Sequence, residues 1–271
     1  MLQNAPGKID IHYFQKMHGD NYDSGAAAMV PVLLNVNLDN SHLEDVRSLL
    51  NDWDYQAQRD STPAALYEVF WKHLLADTFH DELPERYWPA GGNRWFEVMR
   101  NLDEDSQWWD DKNTVGVVET RDEIFAHAFK DAVSEIEKTL GKDPTKWKWG
   151  DLHVSIFRNA TLGASGVGLI EDLFNRGSFP TSGGASIVNA ASWNATRGYE
   201  TTNLPSMRAI YDFSNLNNSI TVHTTGQSGH AYHQHYIDMA PLWADIQYYP
   251  MLWDEQVVSE DPEGHLVLTP K

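Results

Sequence analysis

The run Gly226-Gln227-Ser228-Gly229-His230 sets a hydroxyl between two glycines, a pattern in which a sharp turn can present a serine to a carbonyl. A nucleophile elbow needs glycine where His230 stands and a strand-to-helix turn around the serine. Neither is offered, so the run predicts a structural loop. His230, His233 and His235 are close enough to suggest a metal. His-x-x-His-x-His is not a helical or finger-type ligand spacing, and the nearby carboxylate is Asp238, so hydrogen bonds that fix the loop are the expected role. His12 and His18 lie apart with no partner in the sequence. Asp103, Glu104, Asp105, Asp110 and Asp111 supply oxygen ligands but lack the central glycine of a calcium loop, which reads as a solvated acidic face. No metal ligand set and no cofactor site is assigned. The 11 tryptophans are scattered, as at Trp53, Trp71, Trp88, Trp147 and Trp193, which suits core or interface better than a sugar platform.

The secondary structure around these residues changes in kind along the chain. Leu43, Val46, Leu49, Leu50 and Trp53 recur at helical spacing, with Ser41 and Glu44 in the form of a capping box. Thr62 offers an N-cap before Pro63, and Leu66, Val69, Phe70, His73 and Leu74 form one face of the helix that follows. Thr120 and Glu123 repeat the box ahead of the stripe Ile124, Ala128, Ala132 and Ile136, and Gly141 ends that helix. Tyr13 and Met17 fit a helix, whereas Pro31 should kink or stop the one around it. From Leu162 to Gly184 the chain reads as a long glycine-rich loop, and Ser186 to Trp193 as a strand. Met207, Ala209, Tyr211 and Phe213 alternate with Arg208, Ile210 and Asp212. After turn residues Asn215 to Asn218 the alternation resumes at Ile220, Val222 and Thr224, which predicts a hairpin over 206–225. Leu266 to Leu268 reads as one more strand. Residues 1–141 are thus mainly helical and 142–271 loop-rich around a hairpin, within a single fragment. Helices first and strands later, without βα alternation, give the class α+β.

The formal net charge of −19 makes nucleic acid and anionic membrane poor partners. The absence of cysteine excludes disulfides and thiolate chemistry and leaves the compartment open. The start MLQNAPGKIDIH has no apolar stretch of the kind a signal peptide needs. The longest apolar stretch, near Ala26 to Leu34, falls short of the ~20 residues of a membrane helix.

Pro205 to Trp243 carries an ordered series of motifs: Ser206-Met207-Arg208, Asp212-Phe213-Ser214, Thr225 to His230, and His235-Tyr236-Ile237-Asp238. With Trp149-Gly150-Asp151-Leu152-His153, Leu173-Phe174-Asn175-Arg176-Gly177, Gly183-Gly184 and Val188-Asn189-Ala190-Ala191 upstream, and Trp53-Asp54 before Asp60-Ser61 and Ala64-Ala65-Leu66-Tyr67, this resembles the penicillin acylase (penicillin amidase) family. The similarity runs from about Ile9 to Trp253. Tyr248-Tyr249-Pro250 departs from an E-Y-R-P stretch frequent in relatives.

The resemblance implies the C-terminal part of an N-terminal-nucleophile hydrolase, contributing helices and late strands to an αββα sandwich. In such an enzyme an amino-terminal serine attacks an amide carbonyl with its own α-amino group as base. The family's nucleophile, oxyanion asparagine and calcium carboxylates belong to an upstream part, so the chain alone is expected to be inactive. That upstream segment, or a second copy of the chain, is the expected partner, and a small N-acyl compound the substrate of the intact enzyme. A periplasmic or extracellular location follows if the enzyme behaves as its family does. In relatives of the cephalosporin-acylase type an acidic residue on the late strand orients a histidine beside the nucleophile, which marks Asp212. The plainer reading of Asp212 is a strand-end carboxylate bonded to the turn at Ser214. A rival for the whole chain is a non-enzymatic acidic binding module that keeps the family's elements.

Overall fold

The computed structural model describes residues 1–260, 262–264 and 266–270. Among these the helices are α1 (Ile11–His18), α2 (Ser24–Leu34), α3 (Ser41–Arg47), α4 (Thr62–Phe79), α5 (Asn93–Arg100), α6 (Arg121–Leu140), α7 (Trp149–Leu152), α8 (Gly168–Phe174), α9 (Met239–Ala244) and α10 (Glu255–Glu260). The strands are β1 (Val154–Phe157), β2 (Arg176–Pro180), β3 (Ser192–Asn194), β4 (Gly198–Asn203), β5 (Met207–Ile210), β6 (Ile220–His223) and β7 (Tyr249–Pro250). They form three small antiparallel sheets, β1-β2, β3-β4 and β5-β6-β7. The fold is mixed helix and antiparallel sheet. Its two compact units do not follow the change of composition near residue 141: one is Gly19–Pro205, the other joins Met1–His18 to Ser206–Lys271.

The larger unit is built on α4, which is apolar on most faces and is buried almost continuously from Ala64 to Leu75. A helix with that pattern must be covered on several sides. It packs on α6, where Phe70 meets Phe125 and Phe129 at ring separations of 5.7 and 6.1 Å. Ser61 caps α4, one residue ahead of the expected Thr62, whose hydroxyl instead donates to the carbonyls of Pro144 and Trp147. Asn40 likewise caps α3 in place of the Ser41 box, and that helix gives way to a tighter turn at Ser48. The Thr120–Glu123 box forms as its spacing predicts, and Gly141 ends α6 at φ 91°. Pro31 does not stop α2, which continues to Leu34 with Val30 and Leu33 fully buried.

Two stretches differ from what their sequence predicts. Leu162 to Gly184 holds α8 and β2 rather than one long loop. The Asn175 side chain clamps its start by accepting from the Asn159 amide at 3.0 Å and donating to the Gly163 carbonyl at 2.9 Å. The pairing strand β1 is a four-residue run with no clear alternation, too short to announce itself. In Ser186 to Trp193 the chain turns at Ser186 (φ 67°), and ladder pairing begins only at Ser192.

In the smaller unit β5 and β6 pair in register from Met207↔His223 to Ile210↔Ile220, the predicted hairpin. The third strand is Tyr249–Pro250; Leu266 to Leu268 is exposed and outside any strand. Which hairpin face is covered reverses a simple hydrophobic reading. Arg208 and Ile210 are buried with Val222 and Trp243, whereas Met207, Tyr211 and Phe213 are exposed, Phe213 by 90%. Arg208 earns its burial by donating to the Trp243 carbonyl at 2.7 Å and lying 4.9 Å over that indole.

Candidate functional site

Asp212 follows β5 at the hairpin tip, on the parity of Arg208 and Ile210. Its Oδ1 accepts from the Ser214 amide at 2.9 Å and the Ser214 hydroxyl at 2.6 Å, and its Oδ2 from Asn218 at 3.3 Å. The Ser214 bonds hold its carboxyl below the ordinary carboxylate range. Asp212 also borders an open groove of about 470 Å³, walled by α1 residues such as Phe14, by Ile9 and by Ile210. Within its hydrogen bonds Asp212 closes a turn, and among the described residues no imidazole bonds to Ser214 beside it.

The histidine loop is held by its own bonds. His235 Nδ1 meets Asp238 Oδ2 and its Nε2 meets Glu263 Oε1, both at 2.6 Å. With both ring nitrogens committed to carboxylates, His235 is raised in pKa, chiefly by Asp238 and then by Glu263, and is unavailable to a metal. Ser228 accepts from the His230 amide at 3.1 Å, and its own amide donates to the His235 carbonyl at 2.9 Å. Gly226 lets the strands of this loop touch: a Cβ there would lie 2.1 Å from the His235 carbonyl oxygen and 2.6 Å from Asp238 Oδ1. Among the described residues no three His, Asp or Glu side chains gather as metal ligands, in the acidic run or elsewhere.

His18, which has no partner near it in the sequence, has one in the fold. Its Nδ1 lies 2.6 Å from the Tyr248 hydroxyl, and burial, with Arg208 adding to it, lowers its pKa.

Three strongly perturbed carboxylates lie in the larger unit, and the sequence does not flag them. Glu68 is 3% exposed, with Oε2 accepting from Trp193 Nε1 at 3.1 Å. Burial pushes its carboxyl well up, the Asp23 charge adds to this, and the Trp193 bond opposes it. Asp23 caps α2 through the amides of Gly25 (2.6 Å) and Ala26 (3.0 Å), yet burial carries it up to about 6 against those bonds. Glu135 is the opposite case. Burial pushes it up, but hydrogen bonds from His73, Lys72 and Tyr199 outweigh that and bring it to about 2. The signal for Glu68 was present: one carboxylate inside the otherwise apolar run Ala64 to Trp71. Asp23 is 45 residues away, and nothing local links the two.

The ordered motifs now have a fold to sit on, and comparison with known proteins gives that fold a family. Residues 1–260 match the family model described as penicillin amidase, and the chain belongs to the penicillin amidase family. Among curated relatives, the acyl-homoserine lactone acylase QuiP of Pseudomonas aeruginosa is 29% identical over 230 residues, covering 77% of this chain and 27% of its own length. The QuiP of Pseudomonas fluorescens strain Pf-5 is 30% identical over 210 residues, covering 74% and 25%. The chain therefore spans about a quarter of the length of these relatives. A thermostable penicillin G acylase from Alcaligenes faecalis superposes with a TM-score of 0.51 over 97% of this chain and 50% of that one. At 13% identity that likeness is one of fold.

Proposed function

We propose that the chain is the C-terminal part of an amide hydrolase that removes acyl groups from N-acyl compounds, and that by itself it does not turn them over. The family match over residues 1–260 is the observation that carries the reading. Curated relatives named as acyl-homoserine lactone acylases favour an N-acyl-homoserine lactone as the first substrate to try, with penicillin-type amides second. In this reading the chain supplies helices and late strands to an αββα sandwich. The nucleophilic serine, its α-amino base and the oxyanion donors come from the rest of the enzyme.

Inactivity of the chain alone rests on its side chains. Among the described residues the Ser214 hydroxyl donates to the Asp212 carboxylate, Ser228 Oγ accepts from a backbone amide and Ser155 Oγ pairs with Thr181, and none of the three has an imidazole or amine base at hydrogen-bond distance. The test is release of homoserine lactone, or of a chromophore from a phenylacetyl or fatty-acyl amide, by the purified chain. We expect none above a heat-treated control. Turnover that survives repurification and scales with protein would refute the reading of the isolated chain.

A further inference from the structure

A cavity of about 20 Å³ lies where the start of α2, the middle of α4 and the loop ending at Ser186 come together. That is room for one water-sized occupant. Four oxygen-bearing side chains line it, from Asp23, Tyr67, Glu68 and Ser186, and no Lys, Arg or His does among the described residues. Two of the four are hydroxyls without a partner. Tyr67 is 2% exposed and its hydroxyl makes no hydrogen bond among the described residues, and the buried Ser186 Oγ has none. Two glycines keep the space around these oxygens open. A Cβ at Gly25 would sit 2.9 Å from Asp23 Oδ1 and 3.5 Å from the Tyr67 hydroxyl, and one at Gly184 would sit 3.1 Å from Glu68 Oε1.

Two buried carboxylates and two unpartnered hydroxyls around one small space, with no cationic side chain among its described lining residues, define a ligand by its chemistry. Buried charge is costly unless paired, and a buried hydroxyl is costly unless bonded. A neutral water would satisfy the hydroxyls and leave the charges. A small positive ion answers both needs, and an all-oxygen set suits a hard one. We propose that Asp23, Tyr67, Glu68 and Ser186 form a binding site for a single hard monoatomic cation of the sodium or calcium class. The ion fastens the first turn of α2 and the Gly183–Ser186 loop to α4, and the site stands independently of the acylase reading. Protons compete for the same oxygens. Burial, with the Asp23 charge adding at Glu68, raises both carboxyls above their ordinary values, Asp23 to about 6, so cation binding strengthens as pH rises and these protons leave, and weakens as pH falls.

The test is a set of thermal melts of the full chain, stripped with chelator and held at pH 8 in tetramethylammonium chloride, whose cation is too large to enter. Adding CaCl2 or NaCl at matched ionic strength distinguishes the two ions. A hundredfold excess over Kd is expected to raise the melting temperature by roughly 5 °C or more, saturably. Glu68→Gln should abolish the rise, and so should pH 5. For calcium, terbium emission excited through the adjacent Tyr67 and Trp71 should appear and be displaced by CaCl2. No rise beyond the tetramethylammonium control, or an equal rise in Glu68→Gln, overturns the site. If the wild type ignores both cations while Glu68→Gln is the more stable protein at pH 8, the occupant is a proton and the proposal fails. Should Glu68→Gln not fold, Ser186→Ala decides: about tenfold weaker cation response supports the site, and an unchanged response refutes it.

Discussion

Glu135 shows how a single carboxylate joins three elements. It accepts from Lys72 Nζ at 2.8 and 2.9 Å, lies 2.7 Å from His73 Nε2, and accepts from the Tyr199 hydroxyl at 2.8 Å, linking α6 to α4 and β4. Its folded pKa of about 2 lies below the ordinary glutamate value of 4.5, so its contribution to stability is full above about pH 4.5 and is lost as pH falls toward 2. Glu135→Gln should therefore narrow the stability gap to wild type steadily across that acid window. Urea unfolding at a series of pH values reads this directly, and a gap that does not change with pH would place the stabilisation elsewhere. Asp212 makes a contrasting case, because its bonds are to a turn. In a complete enzyme Asp212→Asn should lower kcat more than it lowers melting temperature if the carboxylate orients a catalytic histidine. Unchanged kcat with a shifted melt would leave it a turn residue.

Elements were legible where local chemistry and tertiary packing agree. The Thr120–Glu123 box, the Ile124 to Ile136 stripe and Gly141 define α6 because each signal is local and points the same way. Removing the cap by Thr120→Ala should cost about 1 kcal/mol. Phe70→Ala, which empties the space between Phe125 and Phe129, should cost about 3–5 kcal/mol. Urea midpoints of the two variants check both, and a cap loss that exceeded the core loss would contradict this account of what holds the larger unit. The hairpin was legible by alternation, but not which of its faces is covered. Burial of Arg208 depends on the Trp243 carbonyl and ring, which lie 35 residues away. Strands β1 and β2 went unread for a related reason, since four or five residues without alternation become a strand only through each other. The Asp23–Glu68 site was out of reach because it exists only when α2, α4 and the Ser186 loop are assembled. At Gly226 the missing side chain was visible in the motif but its reason was not. Gly226→Ala should disrupt the His235–Asp238 loop, seen as loss of the raised His235 pKa in NMR titration, and a retained titration would show that the loop tolerates the methyl.

At the scale of the whole molecule, the family match covers nearly all of this chain while the chain covers about a quarter of its curated relatives. Exposed Met207, Tyr211 and Phe213 leave one face of β5 and the residues after it uncovered. Apolar area left in water forfeits about 25 cal/mol per Å². We propose that this face is covered in the working enzyme by the nucleophile-bearing segment, or in isolation by a second copy of the chain. Sedimentation should then show self-association that Phe213→Ser weakens, and a monodisperse monomer with no ANS signal would instead favour a self-sufficient acidic binding module. Complementation tests the proposed function: hydrolysis of an N-acyl-homoserine lactone is measured for the chain alone, for a nucleophile-bearing upstream segment alone, and for the two together. Neither part alone should release homoserine lactone, and the mixture should release it clearly, an activity abolished when the nucleophilic serine is replaced by alanine. Release by the chain alone, or none from a mixture in which the two parts demonstrably bind, would contradict the proposed division of the enzyme.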